Sequence, residues 1–136
     1  MNAARDSIAD YDPPALLIET FGSHHDLGAV SRLDKDAVRD LFAATAQFIA
    51  VNADSEADLS PSPIIEAMWT DFIVYTAAYH EFCDQLGGYV DHRLRLPAWS
   101  DNFDGPEYAA AYAAVTAVFG SPDKRWWPAP GGGGVR

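Results

Sequence analysis

Four residues of this sequence could hold a metal ion or move a proton together: Asp71, Cys83, Asp91 and His92. Carboxylate, thiolate and imidazole are the common protein donors to a divalent metal, and a water or oxygen molecule activated by that metal would be the chemistry. His80, three residues before Cys83, lies on a neighbouring helical face and could add a nitrogen. The same stretch carries Trp69, Thr70, Phe72 and Tyr79, and aromatic side chains with a polar neighbour suit the wall of a peptide-binding cleft. Each donor also has a plainer role. Asp71 reads as an exposed helix charge, Cys83 as a small hydrophobe beside Phe82 and Leu86, and His92 as a loop residue.

Other chemistries find less support. The glycine run sits in the tail and no Lys-Ser/Thr pair comes after it, so it is no phosphate loop, and no Gly-x-Ser-x-Gly elbow occurs. A dyad of Cys83 with His80 or His92 would need a thiolate in an apolar stripe, where burial disfavours the charge. A single cysteine excludes an intramolecular disulfide and any multi-cysteine zinc site. Adjacent His24 and His25 point apart and read as solvated loop residues.

Charge narrows the partner. Twenty acidic residues stand against nine basic ones, a formal net charge of -11, which opposes binding to nucleic acid or anionic membranes and suits a basic protein or peptide. The local groups His92, Arg93, Arg95 and Lys124, Arg125 read as solvated surface. No apolar run approaches the ~20 residues of a membrane span, and the first residues lack a basic start and apolar core, so a cytoplasmic protein is expected.

The elements that must position these residues are helical. Pro13 and Pro14 could open a short helix through ALLIETF, capped by Asp12 and ended by Gly22. Asp34 predicts the start of a long helix buried through Val38, Leu41, Phe42, Thr45, Phe48 and Ile49. Ser62 before Pro63 predicts another start. From there Ile65, Met68, Trp69, Phe72, Thr76, Tyr79, Cys83 and Leu86 form one stripe, with a bend or break near Tyr75 where Thr76 could cap a fresh helix. Asp104, Gly105 and Pro106 introduce a last helix buried through Tyr108, Ala111, Tyr112, Val115, Val118 and Phe119. Beyond it, one of Trp126 and Trp127 should dock on the core, because two indoles are costly to leave in water. The expected fold is all-α: a small irregular, orthogonal bundle of about four to six helices, with long connections.

These residues also carry a resemblance. The run LSPSPIIEAMWTDFIVYTAAYHEFCDQLGGYVDHR, then YAAAYAAVTAVFG and WWP, resembles the glycine-rich domain-containing protein-like family of small helical domains. Pro61 and Pro63 match the family's proline-bearing loop, Glu66 its acid, Trp69 its tryptophan and Thr76 its break. Tyr79, Phe82 and Cys83 match the next helix, Gly88 and His92 the glycine and second histidine, Phe119 and Gly120 the late helix end, and Trp127 and Pro128 the terminal pair. The resemblance implies a histidine-rich site in typical members. Here Thr70 and Phe72 stand where the family's Trp-His-x-His has histidines, and Asp91 replaces the first of the later pair.

The resulting expectation has residues 1–33 as an N-terminal segment packing on the domain, 34–128 as the helical domain, and 129–136 as a flexible glycine-rich tail. Its function would be a non-enzymatic interaction or accessory module whose cleft draws on Trp69, Thr70, Asp71, Phe72, Tyr79, Cys83, Asp91 and His92, with no cofactor. The alternative is a metal-dependent enzyme or metal-binding protein with a divalent metal on a rearranged Asp71, Cys83, Asp91 and His92 site. A homodimer through exposed Trp99, Phe103 and Trp126 would be a third use of the aromatic residues.

Overall fold

The structure, a computed structural model, describes residue 8 and residues 11–21, 34–55, 59–91 and 105–130. Among the described residues there are five helices and no strand: α1 (Ala15–Thr20), α2 (Lys35–Asp54), α3 (Pro63–Val74), α4 (Thr76–Asp84) and α5 (Pro106–Phe119). The chain is an all-α bundle.

Helix α2 is the hub, packed against α1, α3 and α5. Asp34 caps it in extended backbone, its carboxylate accepting the Ala37 N–H at 2.8 Å. Val38, Leu41, Phe42, Thr45, Phe48 and Ile49 are all buried, as their spacing predicts. Ala44, Ala46, Ala50 and Val51 are buried as well, because a central helix with neighbours on several sides has more than one face to cover. The buried Thr45 hydroxyl is satisfied by the Leu41 carbonyl at 2.8 Å.

One expected cap falls elsewhere. Asp12 does not cap α1; Pro14, two residues further along, holds the cap position without a side-chain hydrogen bond. Gly22, expected past its end, lies outside the described residues. The short helix persists because Leu17, Ile18 and Phe21 are buried in the common core.

The break at Tyr75 is present, but Thr76 does not cap the next helix. Tyr75, at φ -85° and ψ 71°, ends α3 by donating its N–H to Phe72 and opens α4 by accepting from Tyr79 N–H at 2.8 Å. One non-helical residue thus serves both helices and shifts the phase of the stripe. Thr76 becomes exposed and Leu86 only half-buried, whereas Phe82 turns fully inward beside Cys83. The α4 end closes through Gly87 at φ 99°, a left-handed conformation that favours glycine.

Helix α5 starts at Pro106 after Gly105 and buries Tyr108, Ala111 and Val115. Tyr112, Val118 and Phe119 lie at its margins, half-buried, so its buried stripe is narrower than the spacing predicts. After Gly120 the chain returns across the bundle and docks both tryptophans, each 1% exposed. Trp127 contacts Phe48 of α2 and Tyr108 of α5 at ring-centroid distances of 6.0 and 5.6 Å, and the Tyr108 hydroxyl donates to the Pro128 carbonyl at 2.6 Å. Trp126 is therefore no exposed aromatic for a dimer contact; Trp99 and Phe103 lie outside the described residues.

Candidate functional site

The corner between α3 and α4 gathers most of the residues with chemical potential. Trp69 Nε1 donates to the Tyr79 hydroxyl at 3.0 Å, and that hydroxyl donates onward to the Val90 carbonyl at 2.6 Å. The chain ties two helices and the segment after α4 through one phenol. The sulfur of Cys83, one turn on from Tyr79, lies beside the same hydroxyl and the Val90 backbone. Burial pushes the Cys83 thiol up from its ordinary value of 9.0, with those two hydrogen-bonding neighbours pulling it partway back. Burial likewise pushes the Tyr79 phenol far above its ordinary 10.0, against a hydrogen bond from Trp69 that acts the other way. Both groups keep their protons at neutral pH. Neither a thiolate nucleophile nor a phenolate base is available here.

Trp69, Phe72, Tyr79 and Cys83 are 4%, 0%, 1% and 1% exposed. They do not line an open cleft, as the residue types had suggested; they are the core. Phe72 is the clearest case. Its ring meets Phe42, Tyr79 and Phe82 edge-on at 5.0, 5.2 and 5.5 Å, the offset geometry that aromatic quadrupoles prefer. The N-terminal segment closes the cluster: the Tyr11 ring sits 5.0 Å from Phe82 and its hydroxyl donates to the Ala78 carbonyl at 3.2 Å.

The two positions matched to the family's Trp-His-x-His part company. Two residues along a helix turn the direction by about 200°, and Thr70 is accordingly exposed, its hydroxyl donating to the Glu66 carbonyl at 2.9 Å, while Phe72 is fully buried. These positions do not face one site in this fold.

Among the described residues, the proposed metal donors form no metal-holding group either. Cys83 is buried, Asp71 half-buried and Asp91 exposed, and His92 lies outside the described residues. His80 is exposed on the outer side of α4, its ring 5.0 Å from that of Tyr89. Among the described residues, no group of three histidine, cysteine or acidic side chains is placed to hold a metal ion.

Sequence reasoning missed two features. One is Val90, whose carbonyl anchors Tyr79; a backbone acceptor carries no residue-type signal. The other is what Arg125 does: it is a solvated charge, as expected, and it also bonds Asp123 at 2.7 Å and Asp40 of α2 at 3.0 Å, with its guanidinium carbon 4.7 Å from the centre of the Trp126 ring. The Arg125 hydrogen bond holds the Asp123 carboxyl below its ordinary range. The only readable signal was Asp-x-Arg before two tryptophans, and its partner Asp40 is too distant in sequence to be inferred.

Among the described residues no helix is long and apolar enough to cross a membrane. No family model, no curated protein and no solved structure matches this chain.

Proposed function

We propose that this chain is a non-enzymatic interaction module that binds a basic peptide or protein partner on its helical surface. One observation carries the reading: from Asp40 to His92 the sequence has nine carboxylates and no lysine or arginine, and this span supplies most of α2 and all of α3 and α4. Arg125 answers Asp40 at the edge of this span, and the excess of carboxylates that remains attracts partners of opposite charge and speeds their encounter. The burial of Trp69, Phe72, Tyr79 and Cys83 supports the same reading, since it assigns the corner's aromatic and sulfur chemistry to holding the frame. The resemblance in residue pattern fits a retained scaffold whose histidine positions have been given to other uses. A cytoplasmic location suits the single unpaired, buried thiol of Cys83.

The test is calorimetric titration of the full chain with pooled lysine- and arginine-rich peptides and with their glutamate counterparts, at low and at physiological salt. Binding confined to the basic pool, and weaker as salt shortens the Debye length to about 8 Å, is the expected result. Equal heats for both pools, or none for either, would sink the reading. Trp69→Ala is unsuited as a binding control, because it opens the core; surface variants are needed.

A further inference from the structure

The outer side of α4 has a composition of its own. Ala77, His80, Glu81 and Asp84 form an exposed strip along this helix, about 10 Å long at 1.5 Å per residue. Two of the three large hydrophobic residues most exposed in the described chain border it: Val74, 73% exposed, just before the helix, and Tyr89, 51% exposed, beyond its end. Tyr89 is not a loose side chain. Its ring meets Tyr79 edge-on at 5.5 Å and His80 at 5.0 Å, so it is braced from the core and from the exposed strip together. Asp91 comes two residues later and is exposed, and neither α3 nor α4 carries a lysine or arginine that could neutralise these carboxylates.

A braced aromatic ring on a face whose carboxylates Glu81, Asp84 and Asp91 have no ion pair among the described residues is what a guanidinium uses: its flat face stacks on the ring and its N–H groups reach the oxygens. The molecule already does this once internally. Arg125 lies over the Trp126 ring at 4.7 Å while bonding Asp123 and Asp40. Resting on the interaction-module reading, we propose that the α4 face docks an arginine-bearing peptide segment of a partner protein. An arginine stacks on Tyr89 and pairs with the Asp84 and Asp91 side, and an apolar residue of the same segment covers Val74. Arginine is preferred to lysine because an ammonium has no flat face to stack and no fork of donors.

Fluorescence anisotropy with the full chain tests this, using a labelled peptide of about twelve residues that alternates arginine and leucine, and its lysine counterpart. The arginine peptide should bind more tightly. Tyr89→Ala, and separately the pair Glu81→Lys with Asp84→Lys, should each weaken binding about ten-fold, in the range of lost contacts to paired charges. The matched reversal Glu19→Lys with Asp36→Lys on α1 and α2 should change it by less than about three-fold, as a distant exposed charge would. Circular dichroism confirms that all variants are folded. Equal losses from both reversals, or no effect of Tyr89→Ala, would overturn the α4 face and leave the module reading standing. Absence of binding to either peptide would remove both. Sedimentation that shows a dimer abolished by the same α4 variants would make the face a self-contact and overturn the partner proposal.

Discussion

Two parts of this molecule are anchored by tryptophan, and they are built on different principles. At the α3–α4 corner the Trp69 indole N–H is used: it donates to Tyr79, which donates to Val90, so three segments share one hydrogen-bond chain inside an aromatic cluster. In the C-terminal segment, Trp126 and Trp127 are equally buried, yet among the described residues neither indole nitrogen has a hydrogen-bond partner. That segment is held by ring packing, by Tyr108 to Pro128, and by Arg125 reaching Asp40. Area buried is similar in kind; directional specification is not. A hydrogen-bond chain allows one arrangement of its members, whereas packing tolerates several of similar volume.

The largest test of this contrast is Phe72→His, which puts a histidine at this core position. It puts a polar ring where Phe72 meets three aromatic rings. It should lower unfolding free energy by about 3 kcal/mol or more in a urea titration, from lost aromatic burial and an unsatisfied polar group. Adding Thr70→His should produce no cobalt-binding absorption, because the two positions lie on opposite sides of α3; metal binding by the double variant would refute the geometry.

Tyr79→Phe comes next. It leaves the ring in place and removes the hydroxyl that accepts from the Trp69 indole and donates to the Val90 carbonyl, for a cost of about 2–3 kcal/mol in the same titration. Alkaline pH probes the same groups. The folded chain holds the protons of Cys83, Tyr79 and Tyr108 above their ordinary values, so their contribution is complete below those values and is lost as pH rises. Stability should be level to about pH 8.5, begin to fall past the ordinary thiol value of 9.0 and fall faster past the phenol value of 10.0. A thermal midpoint that rises over that range would contradict the assignment.

A matched pair then isolates the indole nitrogen. Trp69→Phe and Trp127→Phe remove similar volumes, but only the first breaks a hydrogen bond, so it should cost about 1 kcal/mol more. Equal costs would erase the distinction between the two anchors. The smallest effect is Asp40→Asn, which removes one arm of an exposed ion pair and should change stability by less than about 0.5 kcal/mol, vanishing at high salt.

Much of the frame was legible because it rests on local rules. Asp34 and Ser62 cap where a short polar side chain before a helical run should, Pro63 and Pro106 occupy first turns, and Gly120 takes φ 90° at a helix end. The buried face of α2 follows from spacing alone. The break at Tyr75 was visible in the run of β-branched and aromatic residues. Its consequence was not, because one non-helical residue resets the phase by an amount that residue types do not encode. Thr76 turned outward and Phe82 inward for that reason.

The candidate site shows where such reading ends. Residue types at Trp69, Phe72, Tyr79 and Cys83 suit a cleft wall and a core equally well, since both are apolar with a few polar atoms. By itself the sequence determined an acidic, helical chain with the Asp34 and Ser62 caps, the break near Tyr75 and the aromatic character of the corner, because these depend on neighbours along the chain. Only the tertiary structure decided that the corner is core. That outcome depends on Tyr11, Phe42 and Val90, which come from three other segments to cover it, and on Asp40, which meets Arg125 from far along the sequence.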